Sequence, residues 1–281
     1  MTRLAGPSLG KRREPRTFAP AVAPGYRRKM RDMRSRAIAT RDRDVTCPAR
    51  VARLVVTALG GRYSSRLGID VDAGEAEVER WFLAATLFGT RISAGVAERA
   101  FGVLDRAGLH RVTQARDIPW DDLVALLDEG GYVRYDFRTA TRLQDLAEMI
   151  GERYGGQVSS IGRGFSRYPE LYQALDMLPG WGPVTIQLFL RELRGVWPGA
   201  QPPLDQRAAT AARHLGLAVR RNAKVDLAAL KRLAGQSSVD LRDLEGGLVR
   251  LALTHRHRVD CCPGGPSCVL LRTGHRQQEA P

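Results

Sequence analysis

Residues 175–193 read LDMLPGWGPVTIQLFLREL, an amphipathic helical pattern broken at its centre by PGWGP. Proline cannot continue a helix, and glycine takes up backbone angles that other residues avoid, so the break forces a turn. The interruption is too short to link distant elements, and apolar residues at helical spacing flank it on both sides. Two helices joined by a tight hairpin follow. Pro183 belongs in the first turn of the second helix, where its missing N–H is not needed. Gly180 and Gly182 are both expected at positive φ, where a ligand can approach the backbone closely. The second helix would then present bare N–H groups and the positive end of its dipole, a grip for one phosphate that reads no base. A purely structural αα-corner would use the same residues.

Helical signals dominate the rest of the chain. CPARVARLVVTAL forms one helix and GEAEVERWFLAATLFGTRI a second, with Trp81, Phe82, Ala85 and Phe88 expected on one side. Ser93 caps SAGVAERAFGVLDRAG, which stops at Gly108. PWDDLVALLDEGG, RTATRLQDLAEMIGERYGG, YPELYQALDML, DQRAATAARHLG, DLAALKRLAG and DLRDLEGGLVRLALTHR supply further helices. Alternating β-branched stretches of strand length are nearly absent, so the expected class is all-α. The expected organisation is a basic arm over residues 1–45, a helical domain over 46–258 with its hairpin at about 170–194, and a cysteine-containing tail over 259–281.

The formal charge is +14 and is unevenly spread. Residues 1–50 hold fourteen Arg and Lys against Glu14, Asp32, Asp42 and Asp44. A polyanion partner is the functional reading, because basic side chains set on phosphates release counterions. All but four of the basic residues are Arg, as in a high-G+C genome. That bias explains Arg in place of Lys but not its concentration at one end. No apolar run approaches the roughly 18–20 residues of a membrane span, and MTRLAGPSLGKRREPR lacks the apolar stretch of a secretory signal. A monomeric, cytoplasmic, nucleoid-associated protein acting on double-stranded DNA, with no membrane partner, is the expectation.

LPGWGPVTIQLFL resembles the LPGxGxxTAxxhL hairpin of the helix-hairpin-helix (HhH-GPD) DNA glycosylase superfamily, endonuclease III-like, with Leu178, Pro179, Gly180, Gly182 and Thr185 in place. About two dozen residues on, PPLDQRAATAARHLGL is similar to the hDxxhxRhxxRLG segment of that family. There Asp205 stands where the family has its catalytic aspartate, and Arg213 and Leu215–Gly216 match the segment's tail. WFLAATLFGTRIS and EGGYVRYDFRTATRLQDLAEMI match upstream family helices more loosely, so the resemblance spans roughly residues 55–255. The GGYxRYD and FLREhxGVWP stretches resemble an actinobacterial branch lacking the iron–sulfur cluster.

The resemblance implies a two-lobed helical fold and removal of a damaged or modified base from DNA. A carboxylate beside C1′ stabilises the oxocarbenium-like transition state and orients or deprotonates the attacking water. Asp205 precedes a helix whose dipole favours its ionised form; an ordinary N-cap is its alternative role, worth about 1 kcal/mol. The phosphate-binding set implied is Gly180, Trp181, Gly182, Val184 and Thr185, with the Trp181 ring packed on the second helix rather than inserted into DNA. Arg207 is a further phosphate contact or a solvated side chain. Bifunctional relatives carry a Schiff-base lysine where this chain has Val184, so base release without β-lyase chemistry is expected. The alternatives are a non-catalytic DNA-binding hairpin module and an abasic-site lyase using another amine. Thr90 and Arg91 replace the family's Gln-Thr pair near the base or its orphan partner, and Arg91 either probes the pocket or binds phosphate. Tyr132, Arg134 and Tyr135 are stacking and phosphate candidates, with plain surface and core packing as the alternative.

Many relatives end in a four-cysteine iron–sulfur loop. Here HRHRVDCCPGGPSC keeps only the Cys262–Cys268 interval of that pattern, so a cluster is not expected. A zinc site from His255 or His257 with Cys261, Cys262 and Cys268 is the alternative to a tail that holds no metal; no cofactor is the expectation. Four cysteines including Cys47 are too few and too clustered for a disulfide framework.

Overall fold

The computed structural model describes residues 47–218, 222–255 and 261–271. The basic arm expected over residues 1–45 lies outside them. The protein is all-helical, and among the described residues the only β pairing is an isolated bridge between Arg194 and Trp197. No described helix is long and apolar enough to cross a membrane.

Helix α1 (Pro48–Leu59) opens on proline and ends at Gly60. A single turn, α2 (Tyr63–Arg66), leads to α3 (Glu75–Phe88), whose first turn carries Glu75 and Glu77 against the positive end of its dipole. Ser93 caps α4 (Ala94–Arg106) as expected, its side chain accepting from the Val96 amide. A 3-10 turn (Val112–Asp117), α5 (Trp120–Glu129), α6 (Asp136–Tyr154), α7 (Ser159–Gly164) and α8 (Tyr168–Asp176) follow. The hairpin then connects α8 to α9 (Pro183–Glu192), and α10 (Gln206–His214), α11 (Ala223–Ser237) and α12 (Leu241–His255) complete the described helices.

Two hydrophobic cores organise these elements. The larger runs from Tyr63 to Ala200 and is built on Trp81, Phe82, Phe101 and Phe189. The smaller joins Val51, Ala52 and Val55 of α1 to α10, α11, α12 and the tail residues Cys268 and Leu271. Helix α1 thus packs with the last helices of the chain, not with those that follow it in sequence. The buried face of α10 is all alanine (Ala208, Ala209, Ala211, Ala212), so its backbone can lie close to α12. Helix α3 departs from expectation. Instead of one buried side, every residue from Trp81 to Leu87 is buried. The cause is position: α4, α7, α9 and the 3-10 turn all pack against it.

Where the two cores meet, charges replace hydrocarbon. The buried Glu192 carboxylate accepts the Tyr63 and Ser64 amides at 2.6 and 2.8 Å, capping the start of α2 from 128 residues away. Arg194 donates to Glu245 at 2.8 and 3.2 Å and to the Pro202 carbonyl at 2.7 Å. Glu245 is fully buried, and burial pushes its carboxyl up against the opposing pull of Arg194 and Arg191. Arg250 covers the Tyr63 ring at 4.0 Å and donates to the Gly61 carbonyl. Each group is buried with its partners, so the seam specifies one relative placement of α2, α9 and α12.

Candidate functional site

The hairpin residues divide by role. Gly180 has φ 71°, the left-handed region, and a side chain there would collide with the Arg142 guanidinium. Gly182 differs from expectation: its φ of −133° is open to any residue, and a Cβ built on it meets nothing within 4 Å. Nothing among the described residues requires glycine at this position. Gly182 is the N-cap of α9, and no described side chain caps that helix, so among the described residues the first-turn amides that follow Pro183, those of Val184 and Thr185, lack a capping side chain. Val184 is 55% exposed. Trp181 is buried, stacked on Phe82 at 4.3 Å, with its indole N–H donating to Thr86 Oγ1 at 3.1 Å. Its ring therefore packs inward, against α3 as well as Phe189 of α9, and is not available to a phosphate. The Thr185 side chain is also buried, packed against Gly89. Of the expected phosphate set, only backbone groups and the exposed Val184 remain accessible.

Gly182→Asp should separate a phosphate grip from a structural corner. The carboxylate would cap α9 and hold or raise the melting temperature. It would also occupy the same amides and repel phosphate, weakening duplex binding by about tenfold or more, roughly 1.4 kcal/mol. Unaltered binding in a titration would leave the hairpin with only a structural role.

Asp205 is the N-cap of α10, with φ −57° and ψ 137°, and its Oδ1 accepts the Arg207 amide at 2.7 Å and the Ala208 amide at 3.3 Å. It is half-buried and lines a cleft of about 500 Å³ between the two cores. The same cleft is walled by Thr90 and Arg91 after α3, Val184 of the hairpin helix, Arg207, and the apolar side chains of Phe88, Leu188 and Val249. Residues 115 positions apart in the chain, Thr90 and Asp205, thus face one cavity. Its volume is in the range of small-ligand sites.

Arg191, on the wall of this cleft, was not singled out by sequence reasoning. It is 2% exposed, lies over the Tyr63 ring at 5.4 Å, and sits 3.5 Å from Glu192 without a hydrogen bond. Its Nε and Nη2 have no hydrogen-bond partner among the described residues. The only trace in sequence is its helical register: seven positions after Val184, two turns along α9, it returns to the same face. Arg213, matched to the tail of the aspartate segment, instead reaches Asp226 at 3.6 Å and ties α10 to α11.

Searched against models of known protein families and against curated proteins, the chain matches none.

A second cavity, of about 400 Å³, shares Gly89, Thr90 and Arg91 with the cleft. It is lined by Tyr135, Arg138, Thr139 and Arg142, and the last of these also borders Pro179 and Gly180. Arg142, which sequence reasoning missed, donates to Thr90 Oγ1 at 3.4 Å. Three guanidinium groups (Arg91, Arg138 and Arg142) therefore line a groove beside the hairpin, and Arg138 and Arg142 stand one turn apart on α6. Arg134 is exposed and its guanidinium lies 5.4 Å from the Tyr135 ring centre. Tyr132 corrects an expectation. It is 1% exposed, and its hydroxyl donates at 2.6 Å to the Leu87 carbonyl at the end of α3, which also accepts the Thr90 amide at 3.3 Å. A stacking role for it is excluded by that burial. Val133 and Phe137, on either side of Tyr135, are 65% and 60% exposed.

In the tail, His257 lies outside the described residues, and Cys261 is exposed. The expected ligand set is thereby revised. His255, Cys262 and Cys268 come together with His214, which no spacing rule had placed there, and their ligand atoms all lie within 4.8 Å of one another.

Proposed function

We propose that this protein is a DNA glycosylase of the helix-hairpin-helix (HhH-GPD) type that turns a damaged or modified base out of duplex DNA and hydrolyses its N-glycosidic bond. The observation that carries the reading is the cleft: it joins Asp205, Thr90, Arg91 and Val184, with uncapped amides of the hairpin helix at its edge. A phosphate held on the amides of Val184 and Thr185 sets the sugar of one nucleotide beside the cleft mouth. The bond to be cut is unreachable inside a stacked duplex, so the base must enter the cavity.

In this reading the carboxylate of Asp205 has two tasks. Ionised, it stabilises positive charge developing at C1′ as the C–N bond breaks. Its second oxygen, the one not holding the Arg207 and Ala208 amides, orients the attacking water and takes its proton. The leaving base departs with the bonding electron pair and takes a proton from solvent, while the proton that Asp205 removes from water returns to solvent, so that one water is consumed per base released. Phe88 and Leu188 supply an apolar lining for a flipped ring, and Arg191 offers a donor to an acceptor on its edge. The Arg91, Arg138 and Arg142 groove carries the flanking backbone. With Val184 in the Schiff-base position, and with no lysine among the described residues lining the cleft, the reading is base release without β-lyase chemistry and without a cofactor.

The test is a panel of duplexes, each with one modified or mismatched base, scored for strand breaks with and without hot alkali. Alkali-dependent breaks on one duplex are the expected result, and they name the substrate. Tight binding with no release on any duplex would favour the non-catalytic hairpin module. Breaks without alkali, trapped by borohydride, would favour a lyase.

A further inference from the structure

We infer that His214, His255, Cys262 and Cys268 form a structural zinc site that fastens the C-terminal tail to the ends of α10 and α12. The four ligand atoms lie within 4.8 Å of one another, and His255 Nε2 is 3.2 Å from Cys268 Sγ. A tetrahedral zinc ion with two nitrogen and two sulfur ligands requires separations of about 3.3–3.8 Å, from bond lengths of roughly 2.0–2.3 Å. Shifts of about an ångström suffice.

Three independent features favour a cation here. His214 is the last residue of α10, so that helix's C-terminus, the negative end of its dipole, faces the cluster, and His255 stands in the last described turn of α12. The chain between the cysteines is shaped around His214. Gly264 has φ 69°, and a Cβ on it would fall 2.6 Å from the His214 carbonyl oxygen and 3.4 Å from its imidazole. One of the four groups is also unsatisfied: His214 Nε2 is buried with no hydrogen-bond partner among the described residues, although its ring meets that of His255 at 4.9 Å. Cys268 is fully buried and His255 4% exposed. His255 pairs with Cys268, and Cys262 with Cys268, which leaves His214 Nε2 out, whereas an ion would bond to all four.

The chemistry of the donors selects the metal. Two thiolates with two imidazoles suit a single zinc ion, and a closed set of four protein ligands leaves no position for substrate or water. The site is therefore structural. It lies at the far end of α10 from Asp205, about 13 Å along a nine-residue helix, and it holds the helix that presents the carboxylate. The inference does not depend on the glycosylase reading.

The experiment uses the full chain without a polyhistidine tag, purified without chelators and assayed for bound metals by plasma mass spectrometry. About one zinc per chain is expected, with a fall in melting temperature when a strong chelator removes it. Cobalt added to the metal-free chain should give the visible absorption of a tetrahedral cobalt–thiolate centre. Cys262→Ser and Cys268→Ser should lose the zinc, and the exposed Cys261→Ser should keep it. The cobalt spectrum of the wild-type chain decides the matter even where a variant fails to fold. A cooperatively melting chain that holds no zinc and takes up none overturns the inference. So does iron with a sulfide–iron absorption band, a Cys262–Cys268 disulfide, or equal zinc loss in Cys261→Ser.

Discussion

Asp205→Asn is expected to slow base release by at least ~10²–10³-fold, the scale on which a preorganised charge-stabilising group acts. The substitution is diagnostic because the two roles of Asp205 respond oppositely to it. As a helix cap, asparagine is as good as aspartate, so the Arg207 and Ala208 amides keep an acceptor and stability should change by less than about 1 kcal/mol. As a counter-charge to an oxocarbenium ion, the amide is useless. Lesion-duplex affinity should hold or improve, since one negative charge facing phosphates has gone. Single-turnover release, a thermal melt and a binding titration measure the three quantities. Release at the wild-type rate would reduce Asp205 to a cap. Asp205→Ala, by contrast, should lose both the cap and the chemistry.

Glu245→Gln should be the most destabilising single change at the seam between the two cores, costing about 3–5 kcal/mol in a urea denaturation. The side chain keeps its shape, but Arg194 is then a buried guanidinium with no counter-charge, 8% exposed and committed to Glu245 through two hydrogen bonds. The pair itself need not add net stability, because burial works against ionisation of Glu245. A joint replacement, Arg194→Met with Glu245→Leu, should therefore recover much of the loss. A loss below about 1 kcal/mol for Glu245→Gln would mean that water reaches the pair and that the seam does not set the geometry of the cleft. Should the joint variant fold but release base slowly, the charges would be acting in register rather than in stability.

Local signals carried the elements well. Helix starts at Ser93, Pro183 and Asp205 were readable because proline placement and side-chain capping depend on neighbours in the chain. The hairpin was readable for the same reason, although only Gly180 takes the positive φ expected of both glycines. Burial was harder to read. Thr185 and Tyr132 look like ligand contacts in a one-dimensional pattern, yet each turns inward to a partner at the end of α3, Gly89 and Leu87; the Trp181 ring packs on the second hairpin helix as expected, and on Phe82 and Thr86 of α3 as well. A side chain's direction depends on which helix lies across from it, and a helical period does not state that.

What the sequence alone determined is thus a set of helices, the sharp turn between two of them, and a carboxylate at the start of a third. These follow from backbone sterics and from hydrogen bonds between residues a few positions apart. The tertiary structure decided which of those pieces share a cavity. It set α1 among the last helices, Arg191 on the cleft wall, Arg142 behind the hairpin, and His214 opposite two cysteines roughly fifty residues away. Such meetings come from burying apolar faces and matching buried charges across the whole chain, and that accounting is settled only when every helix is in place.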